Sequence, residues 1–137
     1  MSYGVAASLQ TAVYQALTND TVLGALVGSA IYDAVPAGTL PSTYVTLGAE
    51  EVRDRSDKTG PGAEHSLTVS VVTEIAGFQT AKNVAAAISD ALVDADLALA
   101  RGQLVNLKFY KAQARREGTG GMRRIDLTFR ARVDDTL

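Results

Sequence analysis

Ile125, Leu127, Phe129, Ala131 and Val133 occupy every second position near the C-terminus, and Arg124, Asp126, Thr128, Arg130 and Arg132 stand between them. Successive side chains of a strand point to opposite faces, so this stretch has one apolar and one charged face, and a slip of one residue would turn the whole apolar set to water. It is therefore a strand of a sheet covered on one side only. Leu67, Val69 and Val71 alternate in the same way with Thr68 and Ser70, within a strand expected over about 64–73. Val105, Leu107 and Phe109 alternate with Asn106, Lys108 and Tyr110. Tyr44, Val45, Thr46, Leu47 and Val52 favour extended backbone and place a further strand over 43–53.

The cover for such a sheet comes from segments with helical spacing. Ala6, Leu9, Val13 and Ala16 or Leu17 form one stripe over about 5–17. Val22, Leu23, Leu26 and Val27 form a second, short helix, capped by Asp20 or Thr21 and stopped at Gly28. Phe78, Ala81, Val84, Ala85, Ile88, Leu92 and Ala95 make a third stripe between Gly77 and about Asp94. Ile31–Pro36 is a short extended piece ended by proline and glycine signals. Asp54–Gly62 has no apolar residue except Pro61 and reads as a mobile loop between two strands, and Glu117–Gly121 as a hairpin loop. The expected fold is α+β in the order α-α-β-β-α-β-β: a largely antiparallel sheet of about four strands in two hairpins, with the helices on one face. Residues 1–137 form one domain, a length at which a single chain buries roughly two-thirds of its surface.

Composition excludes several classes of chemistry. The chain has no cysteine, so disulfides, thiolate nucleophiles and cysteine-based zinc sites are absent. Lys and Arg total 13 against 15 Asp and Glu, a net charge of −2 without the basic excess of a dedicated nucleic-acid binder. Met1–Gly4 shows no basic stretch leading into an apolar run, and no segment has the roughly 20 apolar residues of a membrane helix, so a soluble protein without secretory signal or membrane association is expected.

His65 is the sole histidine, next to Glu64 and far from any nucleophile-elbow motif; a structural place at a strand edge fits it better than a catalytic triad. Asp94 and Asp96 end a helix, and Asp134 and Asp135 stand at the C-terminus; solvated caps and tail charges explain them better than a metal site. Gly60-Pro61-Gly62 and Gly118-Thr119-Gly120-Gly121 lack the strand-to-helix setting of a phosphate loop. No catalytic, cofactor-binding or metal-binding constellation is expected, and no cofactor.

The basic residues crowd into the last third: Lys108, Lys111, Arg115, Arg116, Arg123, Arg124, Arg130 and Arg132. Lys108, Arg124, Arg130 and Arg132 fall on the polar sheet face by parity. That face is either a solvated surface or an interface for an acidic partner or neighbouring subunit. Nucleic-acid binding is the weakest option, because few aromatics interleave with the charges.

Three segments together resemble a known family: Ala25-Leu26-Val27-Gly28-Ser29-Ala30-Ile31-Tyr32-Asp33-Ala34-Val35-Pro36, Leu40-Pro41-Ser42-Thr43-Tyr44-Val45-Thr46-Leu47-Gly48, and Ala63-Glu64-His65-Ser66-Leu67-Thr68-Val69. The helix from Gly77, Leu104–Leu107 and Ile125–Ala131 extend the likeness over nearly the whole chain. The family is that of tail terminator, or tail-completion, proteins of siphophages and gene transfer agents, long carried as a domain of unknown function. The resemblance implies a non-enzymatic virion protein, assembled in the bacterial cytoplasm and placed at the head-proximal end of the tail. It implies a ring, hexameric in this family, that stops tail-tube polymerisation and docks the head connector, with DNA passing through the lumen without specific binding. Expected partners are further copies of the chain, the tail-tube protein and a head–tail connector or adaptor. Candidate contacts are Arg53, Asp54, Arg55, Asp57 and Lys58 in the loop, with Arg124, Arg130 and Arg132 on the sheet. The rival readings are a connector ring itself, a small hydrolase or nuclease using Asp94 or Asp96, and an RNA-binding module with a basic sheet face.

Overall fold

The computed structural model describes residues 3–56, 60–118 and 121–135. A 3₁₀ turn, Tyr3–Val5, leads into helix α1 (Ala6–Thr18), followed by α2 (Thr21–Val27), β1 (Ile31–Tyr32), β2 (Thr43–Asp54), β3 (Gly62–Thr73), α3 (Gln79–Leu92), β4 (Gln103–Glu117) and β5 (Met122–Asp134). The strands form one sheet in the order β1-β2-β3-β5-β4. The hairpins β2–β3 and β4–β5 are antiparallel, as is the β3–β5 seam that joins them. The class and the element order from β2 onward match the expectation.

The strand count does not: Ile31 and Tyr32 pair in parallel with Val45 and Thr46 and make a fifth strand. Two residues are too few to display an alternation, although Ile31 is one of the fully buried core side chains.

The core lies between the apolar sheet face and the helices. Leu9, Val13 and Leu17 of α1, Leu23 of α2, and Ala81, Val84, Ala85, Ile88 and Leu92 of α3 pack against Val45, Leu67, Val69, Val71, Ile125, Leu127, Phe129, Ala131 and Val133. Asp20 starts α2: its Oδ2 accepts from the Leu23 N–H at 2.9 Å, using one of the donors a helix leaves open at its N-terminus. Gly28 ends that helix at φ 60°.

β4 departs furthest from its expected form. It runs to Glu117, seven residues past the predicted alternation, because its distal half is exposed throughout and so carries no pattern. Irregularities in register lie between Leu104 and Asn106 and between Phe109 and Lys111. Of the three apolar residues expected on one buried face, Leu107 is buried, whereas Val105 is 54% and Phe109 47% exposed.

His65 is also placed differently. β3 is the middle strand, and His65 lies on its inner face, completely buried, with Nδ1 3.2 Å from Glu50 Oε2. The bulge between Leu47 and Glu50 turns that carboxylate toward the core face. Asp135 is no solvated tail charge either: it is buried, and Arg101 grips it with Nε–Oδ1 at 3.0 Å and Nη2–Oδ2 at 2.9 Å. Asp94 stands two residues past the end of α3 in a left-handed conformation, φ 58°, donates its N–H to the Leu107 carbonyl at 2.9 Å, and pairs with Lys108 Nζ at 2.6 Å. Among the described residues, no helix is long and apolar enough to cross a membrane, and no three His, Cys, Asp or Glu side chains gather as a metal site would need.

Candidate assembly surface

Parity along β5 sends Arg124, Asp126, Thr128, Arg130 and Arg132 away from the helices. Pairing with β3 and β4 brings Glu64, Ser66, Thr68 and Ser70 and then Lys108, Lys111, Gln113 and Arg115 onto the same face. Two polar clusters result. Arg124 and Arg130 are six residues apart on one strand, so the clusters stand about 20 Å apart at the usual strand rise.

The first cluster is built on Asp126. Its Oδ1 receives Ser70 Oγ at 2.6 Å and Arg124 Nε at 2.8 Å, and its Oδ2 receives Arg115 Nη1 at 2.6 Å. Arg124 also reaches Glu117 Oε2 at 3.4 Å. Burial works against the Asp126 charge, but the Ser70 hydroxyl and the Arg124 and Arg115 guanidiniums outweigh it and hold its carboxyl below the ordinary aspartate range.

The second cluster surrounds Glu64, at the end of the sheet that carries the 54–62 loop. Arg130 Nε lies 3.8 Å and Arg55 Nη2 4.0 Å from Glu64 Oε1. Arg132 Nη2 donates to the Arg55 carbonyl at 2.9 Å. Arg130 stacks on the half-exposed Tyr110, its guanidinium carbon 3.6 Å from the ring centroid. On β2, Arg53 donates to Glu51 at 2.8 Å and holds that carboxyl below its ordinary range. Asp54 fastens the base of the loop, its Oδ1 accepting from Ser56 Oγ at 2.6 Å.

Between the clusters, two adjoining depressions cross the sheet face, both lined by Ala49, Thr68, Lys111 and Thr128. They are open troughs with a threonine floor, suited to a protein surface more than to an enclosed small molecule.

The structure thus gathers Arg53, Asp54, Arg55, Arg130 and Arg132 at one end of the face and puts Arg124 at the other. Asp57 and Lys58 lie outside the described residues. Reasoning from sequence missed the acidic partners Glu64 and Asp126, although each shares the parity of the arginines it serves, and missed Tyr110, whose placement depends on the β4 irregularity.

Asp126 and Asp135 give the fold a predictable acid sensitivity. The hydrogen bond and charge of Arg101 hold the Asp135 carboxyl low, as Ser70, Arg124 and Arg115 do for Asp126. A carboxylate that binds protons less readily in the folded chain than in the unfolded one adds stability above the unfolded pKa, about 3.9, and loses it as pH falls through the lower folded value. These two carboxylates are therefore expected to lower the melting temperature as pH falls below about 4. Asp135→Asn should flatten that drop; an unchanged acid limb in the variant would remove Asp135 from the account.

A sheet covered by helices on one side and carrying ion-pair clusters on the other is an α+β fold that presents one open polar face. The family model described as tail completion protein gp17 matches residues 11–134, and the chain belongs to that family. It is also similar to a chain in a solved structure titled "Virion of native gene transfer agent (GTA) particle": 63% identity over 97% of this chain and 99% of that one, with a TM-score of 0.93. A search of curated proteins finds no match.

Proposed function

We propose that this chain completes a virion tail as a terminator, closing a ring on the head-proximal end of the tail tube, halting its polymerisation and presenting a docking face to the head connector. The reading has six copies in the ring and no catalytic role. The open sheet face carries it. Helices cover one side of the sheet, and the other side displays the two ion-pair clusters and the troughs between them as one surface. The similar chain comes from an assembled particle, which supports the virion as the place of action.

On this reading the sheet face or loop end meets a neighbour or the tube through Arg53, Asp54, Arg55, Arg124, Arg130 and Arg132, together with Asp57 and Lys58. The same ion pairs suit a passage for DNA. Arg53, Arg115, Arg124 and Arg130 each have a carboxylate within 4.0 Å, which weakens the field that would otherwise hold a phosphate backbone.

The test is to add the chain to its tail-tube protein under polymerising conditions and measure tube length by electron microscopy. Amounts far below one per tube subunit are expected to shorten the tubes and to appear at one end only. Arg53→Gln, at an exposed position whose side chain contacts Glu51, should weaken this while leaving the melting temperature within about 2 °C, since changes at exposed sites cost little. Tubes of unchanged length with no bound end would sink the terminator reading, and binding to a connector protein instead would transfer the chain to that joint.

A further inference from the structure

The sheet has two long free edges. β1 covers β2 only at Val45 and Thr46, and on the far side β4 is the last strand. Among the described residues, positions 48–53 of β2 and 108–117 of β4 lie beyond the β1 pairing and the Asp94–Leu107 bond, and pair only within their hairpins. Beyond Leu107, β4 is exposed at every described position. An uncovered edge of this length is a row of unpaired donors and acceptors ready for another strand.

The edges carry opposite charge. The free part of β2 holds Glu50 and Glu51 against Arg53; that of β4 holds Lys108, Lys111, Arg115 and Arg116 against Glu117. Two β4 edges would repel each other, as would two β2 edges, whereas β4 against β2 is attractive. Direction agrees. β2, β3, β5 and β4 alternate strictly, so β4 runs opposite to β2. A copy moved sideways around an axis along the strands presents its β2 antiparallel to the first copy's β4.

We infer that a second copy of this chain pairs its β2 edge, through residues 48–53, with the β4 edge, through residues 108–117, so that the sheets of neighbouring subunits join. The contact uses unlike patches on the two subunits, the head-to-tail geometry that generates closed rings. This inference rests on the ring reading and adds to it which surfaces meet. Glu51 and Gln113 then lie on the same polar face of the joined sheet, since they pair with Ser66 and Asp126. Lys111, on that face too, can meet Glu51 of the neighbour.

Because the chain has no cysteine, the contact can be trapped cleanly. Assembled particles are prepared with Glu51→Cys plus Gln113→Cys, and with Glu51→Cys plus Lys111→Cys to allow for register, then treated with a short bismaleimide and resolved on denaturing gels. At least one double variant is expected to give a ladder of cross-linked chains ending at the ring size, and every single variant a monomer. Wild-type particles fixed with glutaraldehyde serve as the reference. Multimers in the reference with neither double variant forming a ladder would overturn the edge pairing and leave the ring standing. Dimers from Gln113→Cys or Lys111→Cys alone would overturn it in favour of a symmetric β4–β4 contact. A reference that stays monomeric would remove the ring itself, and the pairing with it.

Discussion

Phe129→Ala is expected to cost about 3–5 kcal/mol, the range for emptying a large aromatic site in a packed core. Phe129 is the largest fully buried side chain. It sits in the middle of β5 with Leu67 beside it on β3 and Phe109 on β4, whose ring meets it edge-on at 6.0 Å and 75°. Its loss opens a cavity where the two hairpins and the helix layer join. Three neighbouring layers cannot all collapse into that space, so the penalty should fall in the upper part of the range. For a chain of this length it corresponds to a drop in melting temperature of about 10–15 °C. Phe129→Leu should recover most of the stability. A loss under about 1.5 kcal/mol for the alanine variant would show that the site is not the hub of the core.

Gly102→Ala is expected to be nearly as damaging, for a different reason. Gly102 has φ +75°, and a methyl group there would stand 2.6 Å from the Asp134 carbonyl oxygen and 2.8 Å from Val5 Cγ2. The left-handed backbone alone costs an alanine about 1–2 kcal/mol, and overpacking against rigid backbone adds a similar amount, so a total of about 3 kcal/mol is expected. The segment cannot simply move away. Arg101 next to it holds Asp135 and offers its carbonyl to Ser8 Oγ at 3.0 Å. Gly38→Ala separates the two contributions, since Gly38 has φ +95° but no atom within 4 Å of the added carbon. Chemical denaturation of both variants should show Gly102→Ala losing at least about twice as much. Equal losses would mean that the close approach to Asp134 is relaxed at no cost.

Much of this architecture was legible because burial writes a period into the sequence. β3, β5 and α3 are each half in the core, and their apolar residues repeat at 2 or near 3.6. Where no side is buried, nothing is written. The distal half of β4 is solvated all round, and only its pairing with β5 makes it a strand. β1 was hidden by its length. His65 shares the parity of Leu67, Val69 and Val71, and that parity placed it in the core more reliably than its polarity suggested an edge.

The candidate surface was half legible for the same reason. Arg124, Arg130 and Arg132 share a face by arithmetic alone. Their partners are distant in sequence or on another strand: Ser70 is 56 residues from Asp126, and Glu64 reaches Arg130 across the β3–β5 seam. No local pattern announces such pairs. The arrangement of charge at the two sheet edges became visible only once the strand order was known.

The most direct test of the account is the mass of the chain in solution, by light scattering, alone and then mixed with its tail-tube protein. The account predicts a discrete closed multiple of the 14.3 kDa chain, six copies on the proposed reading, either alone or once the tube end is present as template. A chain that stays monomeric at high concentration and leaves the tube protein's mass unchanged would contradict it.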